Sequence, residues 1–132
     1  MKARVLCFGS SKGGDSAAFR VCDALKPKMK GIEWVKCASP VDLLAYTGED
    51  HMFIMDAVKG LREVSVFRDT DEFMKIKSST VHDMDLGTYL HVLNEMGNLS
   101  GISIIGIPLS GKTKPSDVAD VLSSEIKLKE MG

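Results

Sequence analysis

The sequence contains no CxxC pair, no excess of basic charge, no apolar stretch long enough to cross a bilayer, no internal repeat and no low-complexity tract. Its three cysteines, Cys7, Cys22 and Cys37, are odd in number and share no ligand spacing, which argues against a disulfide framework and against a structural zinc site. They read instead as small buried hydrophobes. A net charge of -1, with 27% charged residues, gives no basic surface for nucleic acid. The start MKARVLCFG places basic residues before an apolar run, but the run is too short for a secretory segment and meets Ser10 and Ser11 at once. The expectation is a cytoplasmic monomer that contacts neither membrane nor nucleic acid. With 132 residues and no linker, residues 1–132 form one domain able to bury one sheet with helices on it.

What is present is an alternation of apolar runs and amphipathic stretches. Strands are expected at Arg4 to Phe8, Ile32 to Cys37, Met52 to Asp56, Val64 to Phe67 and Ile102 to Ile107. The third and fifth are continuous apolar runs, the mark of strands buried on both faces of a parallel sheet. The first helix starts at Asp15 or Ser16, buries Ala18, Val21, Cys22 and Leu25 at helical spacing, and stops at Pro27. Pro40 opens a brief helix that Gly48 ends. Residues Arg68 to Thr80 are charged and without clear period, and are expected to form a surface loop near the site. A further helix follows Val81, His82 and Asp83, with Leu86, Tyr89, Leu90, Leu93 and Met96 on its apolar stripe and Gly97 at its end. The last helix begins near Pro115, turns Val118, Val121, Leu122 and Ile126 inward, and turns its charges to water. The sum is an α/β fold: a three-layer sandwich with a twisted, mostly parallel five-stranded sheet between helices.

Asp56 is the first functional candidate, because a carboxylate that ends a buried strand sits where open α/β sheets bind ligands. Asp15, in the glycine-rich loop after the first strand, and His82, at the entrance of a helix, are the others. If the first, third and fourth strands run parallel, all three residues lie beyond carboxyl ends at one edge of the sheet. Two carboxylates and an imidazole suit a divalent first-row metal such as nickel or zinc, and the same trio could serve as acid and base. The loop Gly9 to Asp15 also invites a phosphate-binding reading, yet it has neither GxxxxGK[ST] nor GxGxxG order, and Asp15 opposes an anion. His51 and His91 are expected to be structural.

Three stretches together, VLCFGSSKGGDSAAFRV, FIMDAVKG and SSTVHDMDLGTYLHVLNEMG followed by GISIIGIPL, resemble the hydrogenase maturation endopeptidases. The likeness covers nearly the whole chain. It implies a peptidase that removes the C-terminal extension of a [NiFe]-hydrogenase large-subunit precursor, with that precursor as partner and nickel carried by the substrate and not held at rest. It also implies that Asp15, Asp56 and His82 recognise the nickel and act as the catalytic and metal-binding residues of an aspartic-type endopeptidase. The first loop departs from the family pattern: it is shorter, lacks the Asn and offers one acid. A non-catalytic metal-sensing or assembly module on the same fold is the alternative, since fold does not determine function.

Overall fold

The computed structural model describes residues 3–9, 16–77, 86–109 and 113–131. Strands β1 (Ala3–Phe8), β2 (Ile32–Cys37), β3 (Met52–Val58), β4 (Ser65–Phe67) and β5 (Ile102–Pro108) form one sheet in the order β2-β1-β3-β5-β4. Helices α1 (Ala17–Leu25), α2 (Thr70–Lys77), α3 (Leu86–Glu95) and α4 (Pro115–Met131) cover it, together with a 3-10 helix over Pro40–Ala45. The expected mostly parallel five-stranded sheet between helices is the architecture observed.

Strand alternation divides the core in two. Val5, Cys7, Phe53, Met55, Ile105 and Ile107 meet the buried stripes of α1 and α4, including Val21, Leu25, Val118 and Leu122. Leu6, Ile54 and Ile104 point the other way, against Leu43 of the 3-10 helix, Phe73 of α2 and Leu90 and Leu93 of α3. β3 and β5 are buried along their whole length because each lies between two strands and two helical layers. Each fully buried Leu or Ile here contributes on the order of 1.5–3 kcal/mol relative to exposure.

The direction of β4 differs from the expectation. It pairs antiparallel with β5, Ser65 opposite Gly106 and Phe67 opposite Ile104, while β1, β2, β3 and β5 are mutually parallel. Only Lys59 to Val64 separate β3 from β4, with Gly60 at φ 90° in the turn. Such a short connection can reverse the chain but cannot return it to the other edge for a parallel pairing.

The expected loop over Arg68 to Thr80 is also corrected. Thr70–Lys77 is α2, with Asp71 and Glu72 in its first turn, where they favour the helix dipole. Thr70 and Phe73 are buried and Ile76 partly so, a stripe of three-residue spacing too short to stand out among charges. Met96, expected on the apolar stripe of α3, lies past its end and is 65% exposed. Gly97, at φ 75°, supplies the left-handed turn that ends this helix. Among the described residues no helix is long and apolar enough to cross a membrane.

Candidate functional site

The strand order reverses between β1 and β3: β1 runs on to its neighbour β2 on one side, and β3 lies on the other. In open α/β sheets the crevice at such a switch point, outside the carboxyl ends of the strands, is where ligands bind. Asp56 lies beside this switch point, level with the end of β1. It stands opposite Phe8, the last residue of β1, and opposite Gly106 of β5.

Asp56 is not at the strand's exit, as expected, but two residues inside it, since β3 continues through Ala57 and Val58. It is 5% exposed. The extension follows from β5, whose Ile107 and Pro108 remain in register with Ala57 and Val58. By alternation its side chain shares a face with Met52, Ile54 and Val58, the face covered by α2 and α3.

Gly106 shapes the space beside Asp56. A Cβ there would lie 2.8 Å from Leu61 Cδ1 and 2.9 Å from Phe67 Cε2. The missing side chain therefore lets the turn after β3 and the ring of β4 close down next to the aspartate.

The two other sequence candidates, Asp15 and His82, lie outside the described residues. The chain on either side of them is described. Gly9 N–H donates to the Cys37 carbonyl at 3.3 Å, which ties the end of β1 to β2 just before residues 10–15. α2 is described up to Lys77 and α3 from Leu86, and both helices lie on the face toward which Asp56 projects. The expected route to His82, through the carboxyl end of a parallel fourth strand, does not hold, because β4 is antiparallel and α2 intervenes.

A buried polar network lies at the opposite, amino-terminal edge. Glu125 of α4 is 2% exposed, which corrects the expectation that the charges of this helix all face water. Arg68 donates to both of its oxygens, Nε to Oε2 at 3.0 Å and Nη2 to Oε1 at 2.8 Å, and the Ser103 hydroxyl donates to Oε2 at 2.5 Å. His51 Nε2 meets the Ser103 hydroxyl at 2.8 Å, and its ring packs edge-on against Phe53. The Arg68 guanidinium, with help from Ser103, holds the Glu125 carboxyl below its ordinary range against the opposing effect of burial. Burial pushes the His51 imidazole down, so the neutral form is favoured. The signal for Glu125 was present in the sequence: it continues the stripe of Val118 and Leu122 at helical spacing, so an acid fell on an apolar face.

The cysteines are all buried and free, as expected. Cys7 and Cys22 face each other across β1 and α1; the Cys7 thiol is pushed up by its bond to Cys22 and by burial, while that bond draws Cys22 down to about 7. Both are at most 1% exposed, so neither is open to a substrate. His91 is half-buried on α3, with Nδ1 2.6 Å from Asp71 Oδ1 of α2.

No family model matches the sequence, and no curated protein matches it. Solved structures do. The hydrogenase maturating endopeptidase HybD from E. coli superposes with a TM-score of 0.64 at 19% identity, over 100% of this chain and 94% of that one. The [NiFe] hydrogenase maturation protease HybD from Thermococcus kodakarensis gives 0.57 at 24% identity, over 99% and 98% of the two chains. The hydrogenase 3 maturation protease gives 0.61 at 20% identity, over 96% and 88%. Along nearly its whole length, the chain has the fold of these solved hydrogenase maturation endopeptidases.

Proposed function

We propose that the protein is a processing endopeptidase that removes the C-terminal extension of a nickel-loaded [NiFe]-hydrogenase large-subunit precursor. The observation that carries this reading is the place of Asp56: a carboxylate within the central strand, level with the end of β1 at the sheet's switch point. The full-length likeness in fold to maturation endopeptidases supports the same reading.

In this reading nickel is part of the substrate. Asp56 with Asp15 and His82 forms the donor set that recognises it, two hard oxygens and a borderline nitrogen, which suits a divalent first-row ion. The ion would polarise the scissile region or its water. This chain's own contribution is to hold Asp56 on a rigid, fully buried strand, so that little reorganisation accompanies recognition. The protein acts as a cytoplasmic monomer with the precursor as its partner.

The test is incubation of the protein with nickel-loaded and nickel-free precursor, the products being weighed by mass spectrometry. Loss of the C-terminal extension from the nickel-loaded form alone is the expected result. No cleavage of either form would favour the second reading, a metal-sensing or assembly module that binds the precursor without cutting it. That second reading draws on the first loop, where Gly9 to Asp15 offers a single acid.

A further inference from the structure

We infer that Asp71, His91 and Glu95 form a separate cation site for a divalent first-row transition metal such as zinc or nickel. One donor atom from each of the three residues lies within 4.8 Å of the others. The inference does not depend on the peptidase reading.

The two helices that carry these donors are packed into the core. α2 is anchored by Phe73 and α3 by Leu90 and Leu93, all in one cluster. His91 and Glu95 are four residues apart on α3 and therefore lie on one face. Asp71 comes from the first turn of α2, where its own N–H donates to Asp69 Oδ1 at 2.8 Å. The spacing of the donors is thus set by helix packing, while the side chains stay adjustable: His91 is 32% and Asp71 52% exposed.

The local electrostatics favours a cation. Glu95 is the last residue of α3, and no basic residue stands in the last turn, so a carboxylate adds to the negative end of the helix dipole. A second carboxylate, Asp71, offers an oxygen within 4.8 Å of a Glu95 carboxylate oxygen. Two like charges at this separation repel, and a dication between them removes the repulsion and satisfies the helix end.

The donor set and geometry fit a small ion. Zinc sits about 2.0–2.2 Å from nitrogen and carboxylate ligands, which in a tetrahedral site places the donors roughly 3.3–3.5 Å apart. The Asp71–His91 contact, at 2.6 Å, has to open by less than about 1 Å, and Glu95, whose donor lies within 4.8 Å of both, has to close by at most about 1.5 Å. Exposed side chains can make both movements by rotamer adjustment. Three protein donors would leave a fourth tetrahedral position for water, and Asp71 and Glu95 are both exposed.

The topology separates this site from Asp56. α3 ends in a short connection to Ile102, the first residue of β5, which pairs with Met52 at the amino-terminal edge. Asp56 lies four residues further along β3, toward the other edge.

The experiment is calorimetric titration of the whole chain with Zn2+ and Ni2+, beside cobalt titration followed by visible absorption. It uses wild type, His91→Ala, Glu95→Gln and Asp56→Asn. Changing a group that merely orients a ligand costs roughly tenfold or more in metal affinity, so removal of a ligand is expected to cost at least that. Affinity should fall in His91→Ala and Glu95→Gln, and the cobalt spectrum should change in both, while Asp56→Asn retains the site. Glu95→Gln preserves side-chain size and answers for His91→Ala should that variant fold poorly. Equal affinity in wild type, His91→Ala and Glu95→Gln would overturn the proposal. So would loss of all binding in Asp56→Asn. Precursor cleavage plays no part in this readout, so failure here is distinct from failure of the peptidase reading.

Discussion

The Ser103 hydroxyl of β5 donates to Glu125 Oε2 of α4 at 2.5 Å inside the core, while Arg68, just after β4, grips both oxygens of the same carboxylate. Sheet, helix and the antiparallel edge strand are thereby joined at one buried charge. Removing a partner from such a group exposes the desolvation cost of what remains.

Glu125→Gln is expected to cost about 1–3 kcal/mol in stability, measured by urea unfolding at neutral pH. The folded Glu125 carboxyl lies below its ordinary value near 4.5, so its contribution is complete above that value and is lost as pH falls through the folded pKa. Thermal melts from neutral to acid pH should therefore fall more steeply below that value for wild type than for Glu125→Gln. Parallel acid limbs for the two proteins would refute this role.

Gly106→Ala tests the close approach beside Asp56. Leu61 has a flexible end that can move, but the ring of Phe67 is 3% exposed and held in the core, so the added methyl strains the β4–β5 contact. A loss of about 1–3 kcal/mol is expected from such overpacking. An unchanged melting temperature would show that the turn after β3 yields freely.

Asp56→Asn retains the shape of the side chain and removes its charge. Cleavage of the nickel-loaded precursor should be lost while the melting temperature stays within a few degrees of wild type. Processing at the wild-type rate would place the metal-recognising carboxylate elsewhere.

The three histidines should separate by assay. His82→Ala is expected to abolish processing with little change in melting. His51→Ala should retain processing and lower stability modestly, because it removes the imidazole from the Ser103 hydroxyl and from the edge of Phe53. Burial lowers the His51 pKa from 6.5, so its contribution is present above that value and lost as pH falls through the folded pKa. His91→Ala, half-buried where α3 meets Asp71 of α2, should leave processing intact. Processing that survives in His82→Ala would leave the assembly-module reading as the better one.

The sequence by itself determined the number of strands, which two are buried on both faces along their length, and where α1, α3 and α4 run. MFIMDAV and ISIIGIP are continuous apolar runs, and a strand covered on both faces leaves no position for alternation with polar residues. It also singled out Asp56, because an acid in such a run is costly unless the fold makes use of it. Only the tertiary structure decided the direction of β4, the existence of α2 and the burial of Glu125. Strand direction depends on how six connecting residues turn in space, and the eight residues of α2 are helical because Phe73 finds a place in a core built by other segments. The burial of Glu125 required Arg68 and Ser103 to arrive from parts of the chain 57 and 22 residues away, a pairing that no local pattern encodes. For the same reason Asp56 was legible as a residue but not as a position: that it lies inside the strand, beside a glycine in β5, depends on the register between strands far apart in sequence.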